Sequence, residues 1–163
     1  MNITIFTTGG TIDKIYFDDL SRYEVGPPRV GEILKTAKVN FQYRIEEICR
    51  KDSIHLTADD RRHIRNRVTA ATSRYILITH GTDTMTLTAD ALKKIPEKVI
   101  VLTGAINPYL FKQSDATFNV GCAVGAMQAL APGVYIAMSG LIFKAGEVRK
   151  NRDRERFEFI GKP

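Results

Sequence analysis

An apolar run, Tyr75-Ile76-Leu77-Ile78, ends in Thr79-His80-Gly81-Thr82-Asp83-Thr84-Met85 and passes into a helical pattern that closes near Lys94. Few folds accept that order. A β-branched run without polar alternation reads as a strand buried on both faces, and such strands belong to parallel sheets. The strand must hand over to a helix through a tight turn, where Gly81 can supply an unusual backbone angle. Thr82 and Asp83 then stand at the expected helix N-terminus, where free N–H groups and the positive end of the dipole favour anions. Thr and Asp are also common N-cap residues, so capping accounts for this turn as well as a ligand site does.

The same pattern recurs along the chain. Residues 2–8 form a first strand that runs into Thr8-Gly9-Gly10-Thr11-Ile12-Asp13, two glycines that let main-chain N–H groups approach a ligand. The turn lacks both the GxGxxG spacing and the lysine of a phosphate loop. Lys14 to Pro28, with Asp18-Asp19 and Pro27-Pro28, is turn-rich and longer than an ordinary connector, which predicts a lid-like loop, and Tyr23 within it reads from the residues alone as a side chain that packs its ring. A helix over Val30–Ala37 leads to a strand over Gln42–Ile48 and then to Arg50-Lys51-Asp52-Ser53. Thr57-Ala58-Asp59-Asp60 reads as an N-cap opening a basic helix to about Thr72. Strand Val99–Leu102 and the turn Thr103-Gly104-Ala105 follow. A small-residue helix from Ser114 to Leu130 comes next, its Gly121, Gly125 and several alanines predicting close packing on the sheet. Strand Val134–Met138 and a hairpin through Ala145-Gly146 complete the pattern.

Strands alternating with helices through short connections predict an α/β three-layer sandwich with a mostly parallel, flavodoxin-like sheet. Ligands in such sheets sit at the carboxyl ends of the strands, at the topological switch point. Here those ends carry Thr-Gly-Gly-Thr, Asp-Ser, His-Gly-Thr-Asp and Thr-Gly-Ala, a polar set that suits a small polar substrate.

At 163 residues the length fits one domain with a substantial core. No apolar run approaches the roughly 18–20 residues of a membrane span, and no secretory signal is visible, so the expectation is a cytoplasmic chain. Cys49 and Cys122 lie in apolar surroundings without CxxC spacing and read first as buried free thiols, with a single disulfide as the alternative. The net charge of +6 gathers on Arg61, Arg62, Arg65 and Arg67 and in the tail from Arg149 to Arg156. The tail interleaves Asp153 and Glu155, and neither patch has aromatics spaced for stacking bases, so these read as solvated faces rather than a nucleic-acid site.

The chain holds no catalytic cysteine context, and His55, His63 and His80 have no zinc spacing. His80 reads as structural, held beside its turn. What remains are hydroxyls, carboxylates and lysines. A threonine hydroxyl becomes a nucleophile when a base takes its proton; a lysine whose pKa is depressed by burial can be that base, and a carboxylate can position it. Glycine-turn N–H groups can stabilise an oxyanion. These are the parts of acyl transfer or amide hydrolysis, and spacing does not say which threonine or lysine acts.

Thr8-Gly9-Gly10-Thr11-Ile12 and His80-Gly81-Thr82-Asp83-Thr84-Met85 resemble, in order and separation, the two signature motifs of the bacterial-type L-asparaginases. Ser21-Arg22-Tyr23-Glu24-Val25-Gly26 looks like that family's mobile active-site loop and Asp52-Ser53 like its substrate-carboxylate loop. Val148-Arg149-Lys150-Asn151 is similar to the segment bearing its catalytic lysine. The resemblance implies that Thr11 is the nucleophile, with Tyr23 closing over it, and that Thr82, Asp83 and Lys150 form a second catalytic group with Lys150 as base. It implies that Ser53 binds the substrate α-carboxylate and Asp83 its α-ammonium, while Gly10, Gly81 and Asp52 shape the pocket. The implied reaction converts L-asparagine and water to L-aspartate and ammonia, with no metal or organic cofactor, in a homodimer or homotetramer.

The resemblance covers only the family's N-terminal domain, so residues 1–163 are expected to be one catalytic domain of a short-chain form, or a truncated chain. Family members use a second domain to hold the substrate amine; Glu155 and Glu158 of a neighbouring subunit are candidates to replace it. Ile54, His55 and Asn107-Pro108 depart from the usual residues at their positions and bear on substrate range. Two other readings stand beside the first: an amidase acting on glutamine or a glutaminyl-RNA, as in archaeal tRNA amidotransferase subunits with these motifs, and a non-catalytic amino-acid-binding module.

Overall fold

The computed structural model describes residues 1–17 and 22–161; the expected loop positions Asp18-Asp19 and Ser21 lie outside the described residues. Six strands form the central sheet: β1 (Asn2–Thr7), β4 (Gln42–Glu47), β5 (Tyr75–Thr79), β6 (Val99–Thr103), β7 (Gly133–Met138) and β8 (Leu141–Lys144). Their order is β4-β1-β5-β6-β7-β8, parallel throughout except for the antiparallel β7–β8 edge pair. Over its first five strands this is the flavodoxin-like 2-1-3-4-5 order, with the winding reversing between β1 and β5.

Burial on both faces explains the unbroken apolar runs. Ile76, Leu77 and Ile78 of β5 and all five residues of β6 are buried. Helices α2 (Ala58–Ala70) and α3 (Met85–Leu92) cover one face, packing Ile64, Val68, Met85 and Leu92 against Phe6, Ile76, Ile78 and Ile100. Helices α1 (Val30–Thr36) and α4 (Ala116–Met127) cover the other with Ile33, Leu34, Val120 and Met127 against Ile3, Ile5, Leu77 and Val101. Each such side chain contributes about 1.5–3 kcal/mol. The three-layer sandwich expected from the pattern is the fold observed.

Several local expectations are corrected. The segment after Asp13 is not an irregular loop at its base: β2 (Lys14–Phe17) and β3 (Arg22–Val25) pair as an antiparallel hairpin. Tyr16 and Tyr23 face each other in that register, their rings 5.3 Å apart and edge-on. The Ala145-Gly146 turn closes no hairpin, because β8 pairs with β7 while β9 (Val148–Asn151) pairs with β10 (Arg156–Phe159). Gly121 and Gly125 of α4 face away from the sheet: both are exposed, and a Cβ added to either would meet nothing within 4 Å. The alanines do pack as expected: Ala116 and Ala123, with Val120 and Met127, make the packing face. Strand β4 is a largely exposed edge, with Tyr43 and Ile45 on the surface.

The arginines of α2 are engaged in holding the fold together. Arg65 Nη1 donates to the carbonyls of Ala91 and Lys93 at 2.6 and 2.9 Å, capping the C-terminal end of α3. Arg61 donates to Leu56 O at 2.9 Å, Arg62 pairs with Asp59 at 2.6 Å and Arg67 pairs with Glu46. Cys49 and Cys122 are free and half-buried, and burial pushes the Cys49 thiol up to about 11. Among the described residues no helix is long and apolar enough to cross a membrane.

Candidate active site

The carboxyl ends of β1, β4 and β5 meet at the point where the winding reverses, and glycines make the meeting possible. Gly10 caps the short three-ten turn Thr11–Asp13 with φ 94 and ψ −172, a conformation open essentially only to glycine. A Cβ on Gly10 would also run into the Gly81 main chain. Gly81 itself is not in the left-handed region; it is required for space, since a Cβ there would lie 2.7 Å from Ser53 Oγ. The turns bearing Thr11, Thr82 and Ser53 are thus packed backbone to backbone.

Thr82 and Asp83 do not cap α3. The helix begins at Met85 behind Thr84, which makes no side-chain cap, and Thr82 and Asp83 occupy the turn before it. Their side chains turn toward β9, where Lys150 Nζ donates to Thr82 Oγ1 and to Asp83 Oδ1, both at 2.7 Å. These partners stand 67 and 68 positions apart in sequence. Arg152 Nε approaches the same Asp83 oxygen at 3.8 Å. The group opens into a cavity of about 260 Å³ lined by Thr82, Asp83, Ile106, Lys150, Arg152 and Glu155.

Ser53 is fully buried at the start of the turn after β4. Its Oγ accepts from Thr84 N–H at 3.4 Å, and its carbonyl accepts from Thr84 Oγ1 at 2.7 Å, so the β4 and β5 turns are bonded to each other. Asp52 accepts from Ile54 N–H and pairs with Lys14 at 2.8 Å. Burial alone would raise the Asp52 carboxyl, but the Lys14 ammonium holds it below its ordinary value.

His80 is fully buried between the turn and α3. Nδ1 lies 2.7 Å from Gly81 O, which can only accept, so Nδ1 carries the proton and Nε2 accepts from Thr88 Oγ1 at 2.8 Å. Burial lowers its pKa to about 4, leaving a neutral ring braced against the turn.

Not every expected residue is drawn together. Tyr23 is half-exposed and rests edge-on against Tyr16 and against Phe111, whose ring centroid is 5.7 Å away. Among the described residues no hydrogen bond links Tyr23 to Thr11, and none links Thr11 Oγ1 to Thr82 or Lys150. Glu158 is committed within its own hairpin to Arg156 at 2.9 Å and Asn151 at 3.2 Å. Glu155, expected to act across a subunit contact, lines the cavity of its own chain. Arg152 and Ile106 carry no local signal in the sequence; the return of β9 beside the end of β5, and the turn that follows β6, make them neighbours of Thr82.

Comparison with known proteins identifies the family of the fold that carries these residues. The model of the asparaginase N-terminal domain matches residues 2–161. The chain is 31% identical over 162 residues to an L-asparaginase of Thermococcus kodakarensis, covering 92% of this chain and 48% of that one. It is 28% identical over 180 residues to a glutaminase-asparaginase of Acinetobacter glutaminasificans, covering 98% and 52%. The solved structure of the thermostable T. kodakarensis L-asparaginase superposes with a TM-score of 0.85 at 27% identity, over 100% of this chain and 52% of the other. The chain therefore spans about half the length of the relatives it matches. Because the domain model matches residues 2–161 and the whole fold superposes on a solved L-asparaginase, the chain belongs to the asparaginase family, in the part that corresponds to its N-terminal domain.

Proposed function

We propose that this chain is a single catalytic domain that hydrolyses the side-chain amide of L-asparagine to L-aspartate and ammonia. The observation that carries the reading is Lys150 Nζ bonded at 2.7 Å to both Thr82 and Asp83. An amine, a hydroxyl and a carboxylate on two distant segments, closed over a small polar cavity, form a proton-handling group rather than a capping motif.

In this reading Thr11 Oγ attacks the amide carbon, its proton passing toward the leaving nitrogen with Tyr23 assisting. N–H groups of the glycine turns receive the developing oxyanion. Collapse of the tetrahedral species breaks the C–N bond, releases ammonia and leaves the aspartyl ester of Thr11. Lys150 enters the second step as the neutral amine: water attacks the ester carbonyl as its proton passes by way of Thr82 to Lys150 Nζ, the ester C–O bond breaks, and the ammonium so formed returns that proton to Thr11 Oγ as aspartate departs. The Ser53 hydroxyl, steadied by Thr84, donates to the substrate α-carboxylate. Asp83 meets Lys150 and Arg152 through Oδ1, which leaves Oδ2 for the α-ammonium. No metal or organic cofactor has a step to perform. The setting proposed is a cytoplasmic homo-oligomer.

The test is ammonia release from L-asparagine by the wild type, Thr11→Val and Lys150→Met, each confirmed folded by circular dichroism. Both substitutions are expected to lower kcat by roughly 10³-fold or more. A wild type that releases no ammonia at millimolar asparagine overturns the reading and favours a binding module. L-glutamine belongs in the same assay, because the likeness to a glutaminase-asparaginase favours a second activity on that substrate.

A further inference from the structure

The hairpin β2–β3 leaves the body of the molecule at Asp13 and returns to it at the same residue. Asp13 N–H donates to Gly10 O at 3.1 Å, which closes the turn that carries Thr11. Its carbonyl accepts from Gly26 N–H at 2.8 Å, immediately after β3, and its carboxylate Oδ1 accepts from Arg29 N–H at 2.8 Å. The side chain is 1% exposed, and its second oxygen, Oδ2, has no hydrogen-bond partner. Three bonds from one residue thus fix the departure and the return of the strand that bears Tyr23. The reaction as proposed above gives this carboxyl group no chemical step.

We propose that Asp13 is a positioning residue for Tyr23: it clasps the return of the hairpin to the Thr11 turn, and its charge state sets how firmly the clasp holds. The inference rests on the reading of Thr11 and Tyr23 proposed above. An ionised carboxylate accepts the Arg29 N–H as a charge-assisted bond, whereas a protonated one accepts it as an ordinary, weaker bond. Burial works against the ionised form, and the surrounding charges are mixed. Arg29 beside it and Arg50 after β4 favour ionisation, and Glu47 at the end of β4 opposes it. Burial dominates and raises the pKa to about 6, so the clasp changes state within an ordinary assay range.

The experiment is a pH titration from about pH 5 to 8 of the labelled wild type and of Asp13→Asn, followed by amide and aromatic NMR, with asparagine kinetics in parallel. In the wild type the Arg29 and Gly26 amides should shift together with a midpoint near pH 6, and the Tyr23 ring resonances should follow; all should be flat in Asp13→Asn. The wild-type kcat should fall about fivefold below that midpoint, while Asp13→Asn stays at the lower value across the range with KM within about twofold. Amides that do not titrate, a Tyr23 ring that does not follow them, or identical kcat profiles would overturn the proposal. Should the wild type release no ammonia, the hydrolase reading fails separately, and the clasp is judged on the spectra alone.

Discussion

Two buried ionisable side chains beside the site pull stability in opposite directions with pH. Native His80 takes up a proton only near pH 4, whereas an unfolded histidine does so near 6.5, so stability is lost as the pH falls through that interval. The full loss is about 3 kcal/mol. Asp13, raised from 3.8 to about 6, has the reverse sign: its contribution is greatest below the unfolded value and is lost as the pH rises through 6. Urea melts at pH 7 and near pH 4 should therefore show the wild type losing about 3 kcal/mol more on acidification than His80→Gln, because Asp13 acts equally in both. Equal losses would mean that the ring is protonated in the native state. The structural role of His80 was legible from its place beside the turn. Asp13 was not, because an aspartate after a glycine turn reads as a solvated loop residue until the hairpin folds back over it.

At the scale of elements, long-range capping matters more than the local signals. The Thr57 N-cap formed where the sequence placed it, and the structure closes it as a capping box with Asp60, its partner only three residues away. The end of α3 is closed instead by Arg65, which reaches 26 and 28 positions along the chain to Ala91 and Lys93. Arg65→Ala should lower stability by about 1–2 kcal/mol, and Arg67→Ala, which removes a half-exposed pair with Glu46, by about 0.5 kcal/mol or less. Thermal melts that rank the two equally would remove the cap from the account. The glycines of α4 and the Ala145-Gly146 turn misled for a related reason. Small residues permit close packing or a sharp turn, but which neighbour stands opposite is fixed only by the partner element.

For the whole molecule, the proposed homo-oligomer predicts sedimentation of the chain as a dimer or larger species at micromolar concentration. A monomer that hydrolyses asparagine would refute it and would show the site to be complete in one chain, as the placement of Glu155 in its own cavity allows. The sequence by itself determined the three-layer fold, the alternation of its main strands and helices and the glycine turns, because hydrophobic period and turn chemistry are local properties encoded within a few residues. Resemblance to a family, rather than spacing, singled out Thr11 and Lys150. Only the tertiary structure decided that Lys150 meets Thr82 and Asp83, that Arg152 and Glu155 line the same cavity, and that Tyr23 rides on a hairpin held at Asp13. Those contacts join segments tens of residues apart, and they exist only where the twist of the sheet and the crossing of its strands bring the chain back upon itself.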